Sequence, residues 1–219
     1  MKSPARMHFE KTLATKQAAG SKGAAAIPAD VGIAAKMKAM MAGHKAILKA
    51  IKSKLEKANV KATLLPEYAA YVEGVMASGS DAQDDILVTV MLWRLDAGDY
   101  AGALEVAAYA LDHGMSMPEN FKSDIPTTIL DVIADNEPSV DQLPYVLEAI
   151  ELTKDRDMPD EVRAKAHKAA GKLLADTDPA AALSHLKIAQ EFNPNSGVKT
   201  QIGKLEKQIA DAGNAPAAD

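Results

Sequence analysis

The sequence predicts an all-α fold in which a basic N-terminal arm and a long amphipathic helix lead into a stack of helical hairpins with tetratricopeptide-like character. Three observations predict it. Hydrophobic residues make up 47% of the 219 positions while aromatics make up only 4%, so the apolar content falls to Ala, Leu, Ile, Val and Met, which pack well on helices and less well on pleated sheets. The segment from Asp30 onward repeats its apolar residues at near-heptad spacing. Beyond it, stretches of ten to eighteen residues alternate with capping residues, Pro and Gly.

Residues 1–29 mix Gly, Ala, Lys and Ser without a sustained apolar period. They read as a flexible basic arm, with at most a short helix around Phe9 to Gln17. Residues 30–62 read as one helix, whose stripe Ile33, Met37, Met40, His44, Ile47, Ile51 and Leu55 is spaced four, three, four, three, four and four. That pattern leaves Lys36, Lys38, Lys45, Lys49, Lys52 and Lys54 on the other faces. We read the stripe as an oligomerisation seam between subunits; packing against the chain's own domain is the alternative, since only about three and a half heptads are present. His44 falls within the stripe, where a hydrogen-bonded packing role outweighs that of a ligand or pH switch.

Residues 63–210 read as an acidic helical-hairpin domain with helices near 65–78, 81–97, 99–113, 125–135, 140–154, 159–176, 179–192 and 196–211, and residues 211–219 as a disordered tail. Ser80 with Gln83 and Ser139 with Gln142 fit capping boxes, and Asp178 before Pro179 fits an N-cap with proline at the first helical position. Two stretches displaced by 79 residues, Leu95–Ala110 and Leu174–Ala189, share an Asp at the turn (Asp99, Asp178) and an Ala-Leu pair after it (Ala103 and Leu104, Ala182 and Leu183). Small residues there let two helices approach closely, as in tetratricopeptide hairpins. The displacement is not a multiple of about 34 residues, so no regular array is expected.

Charge divides the chain more sharply than its net of −5 suggests. Up to Ala62 there are thirteen basic residues against three acids, a net of +10; from Thr63 there are twelve against twenty-seven, a net of −15. A basic segment in an acidic chain attracts polyanions, and contacts to DNA phosphates gain free energy by releasing counterions. The alternatives are a solvated Lys-rich surface, or docking of that segment onto the acidic half of a neighbouring subunit. The candidate DNA-binding set is Lys2, Arg6, Lys11, Lys16, Lys22, Lys36, Lys38, Lys45, Lys49, Lys52 and Lys54. Arg6 is the only arginine among them, which favours phosphate positioning over bidentate reading of guanine. The scarcity of aromatics favours duplex over single-stranded DNA.

Other chemistries are set aside on sequence grounds. Cysteine is absent, excluding disulfides, thiol nucleophiles and Cys-based metal centres. His8, His44, His113, His167 and His185 form no HExxH pair, and neither a GxxxxGK[ST] loop nor a GxGxxG turn occurs. No cofactor is implied. No apolar run is long enough for a membrane span or secretory signal, and the single Arg of the first thirty residues argues against a transit peptide. Asp81, Asp84 and Asp85 form the densest carboxylate cluster and are a weak candidate for two-metal nuclease chemistry; helix capping explains them better. Ser184 and Lys187 match a Ser-x-x-Lys spacing common by chance in helices. Trp93 reads as core and Arg94 as a surface or helix-end residue. In MPDEVRAKAHKAAGK, Asp160 and Glu161 precede Arg163, Lys165, His167 and Lys168, a helix-electrostatic pattern with a second phosphate-contacting or partner-docking face as the alternative.

Several segments carry a family resemblance: SPAR near the start, AQDDILVTVMLWRLDAGDYAGALEVAAYAL in the middle, MPDEVRAKAHK later, and more weakly ALSHLKIAQ and GVKTQIGKLE. Together they span nearly the whole chain, and through them it resembles the small terminase subunits of Peduovirus-type temperate tailed phages. The resemblance implies a subunit that recognises the packaging site on replicated double-stranded phage DNA. It further implies a homo-oligomer, in the form of a ring, that regulates the large ATPase and nuclease subunit in the host cytoplasm. Such subunits are sometimes described as the endonuclease component, but the sequence offers no metal-nuclease constellation and cutting is assigned to the large subunit. Family members tend to end in a Lys- and Arg-rich tail, whereas this chain reads DAGNAPAAD there. The competing functions are a helical-repeat adaptor that binds proteins, and a metal-dependent endonuclease subunit.

Overall fold

The computed structural model describes residues 29–119, 121–135 and 138–213, and among them every regular element is a helix. The arm residues Lys2, Arg6, Lys11, Lys16 and Lys22, the short helix expected at Phe9 to Gln17, and residues 214–219 lie outside the described residues. The chain divides into two compact units, at Lys122 and Ser123. That boundary falls inside the span that the sequence reads as one hairpin domain.

The first unit contains α1 (Ala29–Ala50), α2 (Lys54–Leu64), a 3-10 turn (Leu65–Glu67), α3 (Ala69–Ser78), α4 (Asp85–Ala97) and α5 (Tyr100–Asp112). The single helix expected over 30–62 is therefore two. The break at Ile51–Ser53 is chemical: Ser53 is extended (φ −67°, ψ 127°) and its hydroxyl accepts from the Glu56 amide, capping α2. This local cap outweighs the apolar period that continues through it.

Helix α4 is the centre of this unit. Ile86 to Trp93 and Leu95 are all buried, the pattern of a helix enclosed on every side, and α1, α2 and α5 pack against it. It begins at Asp85, not at 81, because Asp84 is the cap, its Oδ1 accepting from the amides of Ile86 and Leu87 at 2.9 Å. The box expected between Ser80 and Gln83 does not form. Gln83 instead spans to the loop beyond α5, donating to the Ser116 carbonyl (3.0 Å) and accepting from the Ser116 amide (2.9 Å). Gly98, at φ 78°, closes α4 in a left-handed conformation that favours glycine. Asp99 then opens α5 by accepting from the Gly102 amide. The Arg94 guanidinium lies over Gly102, 3.6 Å from Asp99, so closely that an ideal Cβ there would stand 1.8 Å from its Nη1. Arg94 is accordingly a packed residue of the hairpin turn; its Nε is buried with no hydrogen-bond partner among the described residues.

The second unit contains α6 (Ile125–Asp135), a 3-10 turn (Val140–Gln142), α7 (Leu143–Thr153), α8 (Asp160–Leu174), α9 (Pro179–Phe192) and α10 (Lys199–Gly213). Gln142 returns to the Ser139 amide (2.8 Å), the capping box expected there, and Asp178 accepts from the Ala181 amide (2.9 Å) ahead of Pro179, as expected. Helix α10 continues through Gly213, so the first three residues of the expected tail are helical. Helix α8 packs on α6, α7 and α9, and α10 packs on α9. Small residues set the α8–α9 distance: a Cβ on Gly171 would lie 2.6 Å from Leu186 Cδ2 and 3.0 Å from the Ala182 carbonyl oxygen. Ala182, Leu186, Val198, Ile202 and Leu205 form the core between α9 and α10.

Candidate nucleic-acid interface

The basic half of the chain is described from α1 onward, and α1 serves two environments. Met41 and Leu48 are buried, at 4% and 6% exposure. Between them His44 is half-buried, with its Nδ1 2.7 Å from the Tyr68 hydroxyl. Burial, with the charge of Glu67 adding to it, pushes the Tyr68 phenol up to about 12, so the hydroxyl keeps its proton. The His44 ring lies 5.8 Å from that of Tyr68 and 6.4 Å from that of Trp93, while Tyr68 and Trp93 meet edge to face at 5.7 Å. One turn along, Lys45 Nζ donates to Thr89 Oγ1 on α4 at 3.4 Å. The inward side of α1 is thereby fixed to the central helix.

On the other side Ile47 is 54% exposed, and beyond the break Leu55 is 73% exposed. Met37, Met40 and Ile51 are half-buried, and the side chain of Ile33 lies outside the described residues. Of the seven residues of the expected seam, the structure turns His44 inward and leaves Ile47 and Leu55 facing out. Met41 and Leu48 were missed because α1 carries two overlapping stripes. One runs through positions 37, 40, 44, 47 and the other through 37, 41, 44, 48, and both have helical spacing.

The lysines keep to the solvent side. Lys36, Lys38, Lys45 and Lys49 on α1, Lys52 in the break and Lys54 at the start of α2 are all exposed. Apart from Lys45, none has a hydrogen-bond or carboxylate partner among the described residues. Lys61 on α2 differs, being ion-paired with Asp96 of α4. At 3.6 residues per turn Lys38, Lys45 and Lys49 share one flank of α1, over which the helix advances about 17 Å, while Lys36 lies on roughly the opposite flank. The Lys38–Lys49 flank spans the reach of several successive phosphates, an arrangement suited to electrostatic holding of a polyanion.

The other sequence candidates resolve into structural contacts. Asp84 caps α4 and accepts from the Tyr71 hydroxyl (2.6 Å); burial, then the Asp84 carboxylate beside it, drives that phenol strongly upward. Asp85 accepts from Gln83 (2.9 Å) and Asp81 faces His113 Nδ1 (2.7 Å). The three carboxylates thus have separate partners, and among the described residues no group of three or more Asp, Glu or His side chains is placed to hold a metal ion. Lys187 pairs with Glu206 at 2.8 Å rather than with Ser184. Trp93 is core, at 5% exposure.

Along α8 the basic residues reach across to neighbouring elements. Arg163 donates to the carbonyls of Lys154 (3.1 Å) and Arg156 (2.7 Å), where α7 ends, and stacks on Phe192 at 5.3 Å. His167 meets His185 of α9, Nδ1 to Nδ1 at 2.9 Å. Burial, followed by the charges of His185 and Arg163, pulls His167 down to about 4, and burial also lowers His185.

The model of the phage small terminase subunit family matches residues 38–161, from the exposed lysines of α1 to the first turn of α8. A terminase endonuclease subunit of Escherichia phage P2 is 42% identical over 218 residues, covering 95% of this chain and 86% of that one. A probable terminase endonuclease subunit of Haemophilus phage HP1 is 28% identical over 87 residues, covering 39% of this chain and 31% of that one. No solved structure matches the chain.

Proposed function

Because the chain belongs to the phage small terminase subunit family, we propose that it recognises double-stranded phage DNA at the packaging site, assembles as a homo-oligomeric ring, and regulates the large ATPase and nuclease subunit in the host cytoplasm. The observation that carries the DNA part is the set Lys36, Lys38, Lys49, Lys52 and Lys54, exposed and without a carboxylate partner among the described residues, on α1, the break after it and the start of α2, with α1 anchored by Met41, His44 and Leu48. Met40, Ile47, Ile51 and Leu55, flanked by these lysines, supply the apolar contact between subunits. The basic arm, with Lys2, Arg6, Lys11, Lys16 and Lys22, adds further phosphate contacts.

The test is fluorescence anisotropy of labelled packaging-region and scrambled duplexes across a salt series. It compares the full chain with a variant in which Lys36, Lys38, Lys49, Lys52 and Lys54 become Gln. Deleting everything before Thr63 would expose the core around Tyr68 and Trp93, so substitution is the cleaner perturbation. Five phosphate contacts correspond to a slope of log K against log salt of about −4.5. The variant should lose that much of the slope; an unchanged slope would remove α1 from the interface.

A second reading is an intrinsic metal-dependent endonuclease, favoured by the two relatives, a terminase endonuclease subunit and a probable one. Magnesium-dependent cutting of duplex DNA by the purified chain, abolished by Asp84→Asn together with Asp85→Asn, would establish it. An adaptor without DNA binding would follow if neither duplex bound at low salt.

A further inference from the structure

Within the second unit, α8 turns a file of three lysines toward a cleft of about 520 Å³. Lys165, Lys168 and Lys172 line it together with Ala169 and Leu173 of the same helix, Ala134 and Asp135 of α6, and Pro138. The three ammonium groups are in different states. Lys165 is neutralised twice, by Asp131 at 2.6 Å and Asp135 at 2.7 Å. Burial alone would lower its pKa, but the two carboxylates win and raise it. Lys168 donates to the Ser196 carbonyl at 2.5 Å and has no carboxylate partner among the described residues. Lys172 is exposed and has neither kind of partner among them. Among the described residues Lys168 and Lys172 therefore have no carboxylate partner beside the apolar floor, in a unit whose sequence from Ser123 holds ten basic residues against seventeen acids.

We infer that this cleft binds an acidic peptide segment of a protein partner, with one carboxylate at Lys168 and Lys172 and a neighbouring apolar side chain on Ala134, Pro138, Ala169 and Leu173. A cleft of this volume accepts a few side chains, whereas duplex DNA is too wide to enter it. Half of the lining is hydrocarbon, which phosphate recognition does not need and a peptide anchor uses. The inference goes beyond the assignment of α1 and α2 to DNA and stands without it.

The test is an NMR titration of the full isotope-labelled chain with an acetylated peptide alternating Glu and Leu, its Gln-Leu counterpart, and a short DNA duplex. The Glu peptide is expected to shift the methyl signals of Ala134, Ala169 and Leu173. Lys172→Glu should weaken that binding about fivefold or more, and the Gln peptide should leave those signals in place. Equal response to both peptides, or indifference to Lys172→Glu, would overturn the inference. So would shifts of the same methyls by the duplex but not by the Glu peptide, which would make the cleft a phosphate site. Lys168→Gln serves as a second variant, with the amide signal of Gly197 reporting whether the loop held by Lys168 keeps its shape.

Discussion

Neighbouring residues of α1 should respond in opposite ways to the same truncation. Leu48 is 6% exposed and Ile47 is 54% exposed, so Leu48→Ala removes a filled core position while Ile47→Ala removes a side chain that its own chain covers by less than half. Buried Leu→Ala changes cost about 2–5 kcal/mol. With Leu48 on a helix at the edge of the core we expect about 3 kcal/mol, a fall of roughly 1–2 M in urea midpoint. Ile47→Ala should cost the folded chain about 1 kcal/mol or less. If Ile47 is covered by a second subunit, however, its loss should weaken association about tenfold or more, and Leu55→Ala should do the same. Trp93, the only tryptophan, reports unfolding of the first unit directly through its contacts with His44 and Tyr68. Sedimentation velocity over a concentration series reports assembly. Equal loss of stability in the two variants would refute the two-sided account of α1; unchanged association in both Ile47→Ala and Leu55→Ala would refute the outer seam.

The His167–His185 pair makes acid stability testable. The folded-state pKa of His167, about 4, lies below its unfolded value of 6.5, so the unfolded chain binds the proton more readily. Stability should be full above about pH 6.5 and decline as pH falls toward 4, by about 2 kcal/mol after discounting for solvent at His185. A urea series at several pH values should show this decline reduced in a His167→Gln, His185→Gln variant, and a gap between the two proteins that is constant with pH would be the contrary result. Gly171→Ala should destabilise by about 1–2 kcal/mol despite its better helix propensity, because Leu186 and the Ala182 carbonyl occupy the space; a rise in denaturation midpoint would contradict this. Asp84→Ala removes both the cap of α4 and the acceptor of the Tyr71 hydroxyl, and calorimetry should register a loss of about 2 kcal/mol.

Much of the second unit was written in local chemistry. Ser139 with Gln142 and Asp178 with Pro179 are recognisable because cap and partner lie within three residues. Elsewhere the deciding partner is distant. Gln83 is taken by Ser116 and so never returns to Ser80, and Asp84, indistinguishable by type from Asp81 and Asp85, is the residue that caps. In α4 the apolar residues run round the whole helix, so no period indicates which side faces α1. In α1 the adjacent pairs Met40–Met41 and Ile47–Leu48 give two equally regular stripes, and only the position of α4 chooses between them. The sequence offers Lys165 and Lys168 only as part of an alternative docking face, and the cleft they line depends on Asp131 and Ser196, 34 and 28 residues away. The basic character of residues 30–62, by contrast, needed only counting.

The sequence marks Arg94 only as a surface or helix-end residue, yet in the structure its guanidinium and Gly102 share a single volume. Any side chain at 102 must displace the guanidinium, and the displaced guanidinium would give up its place beside Asp99. The two positions therefore form one unit of variation. The guanidinium is the far end of a flexible side chain, so alanine at 102 costs the Arg94–Asp99 pairing rather than the packing of the helices, and in a chain whose residue 94 is already short it costs neither. Substitutions at 94 and 102 are thus coupled across the turn, and a chimaera that joins residues 1–98 of one relative to the remainder of another brings the two positions together from different parents.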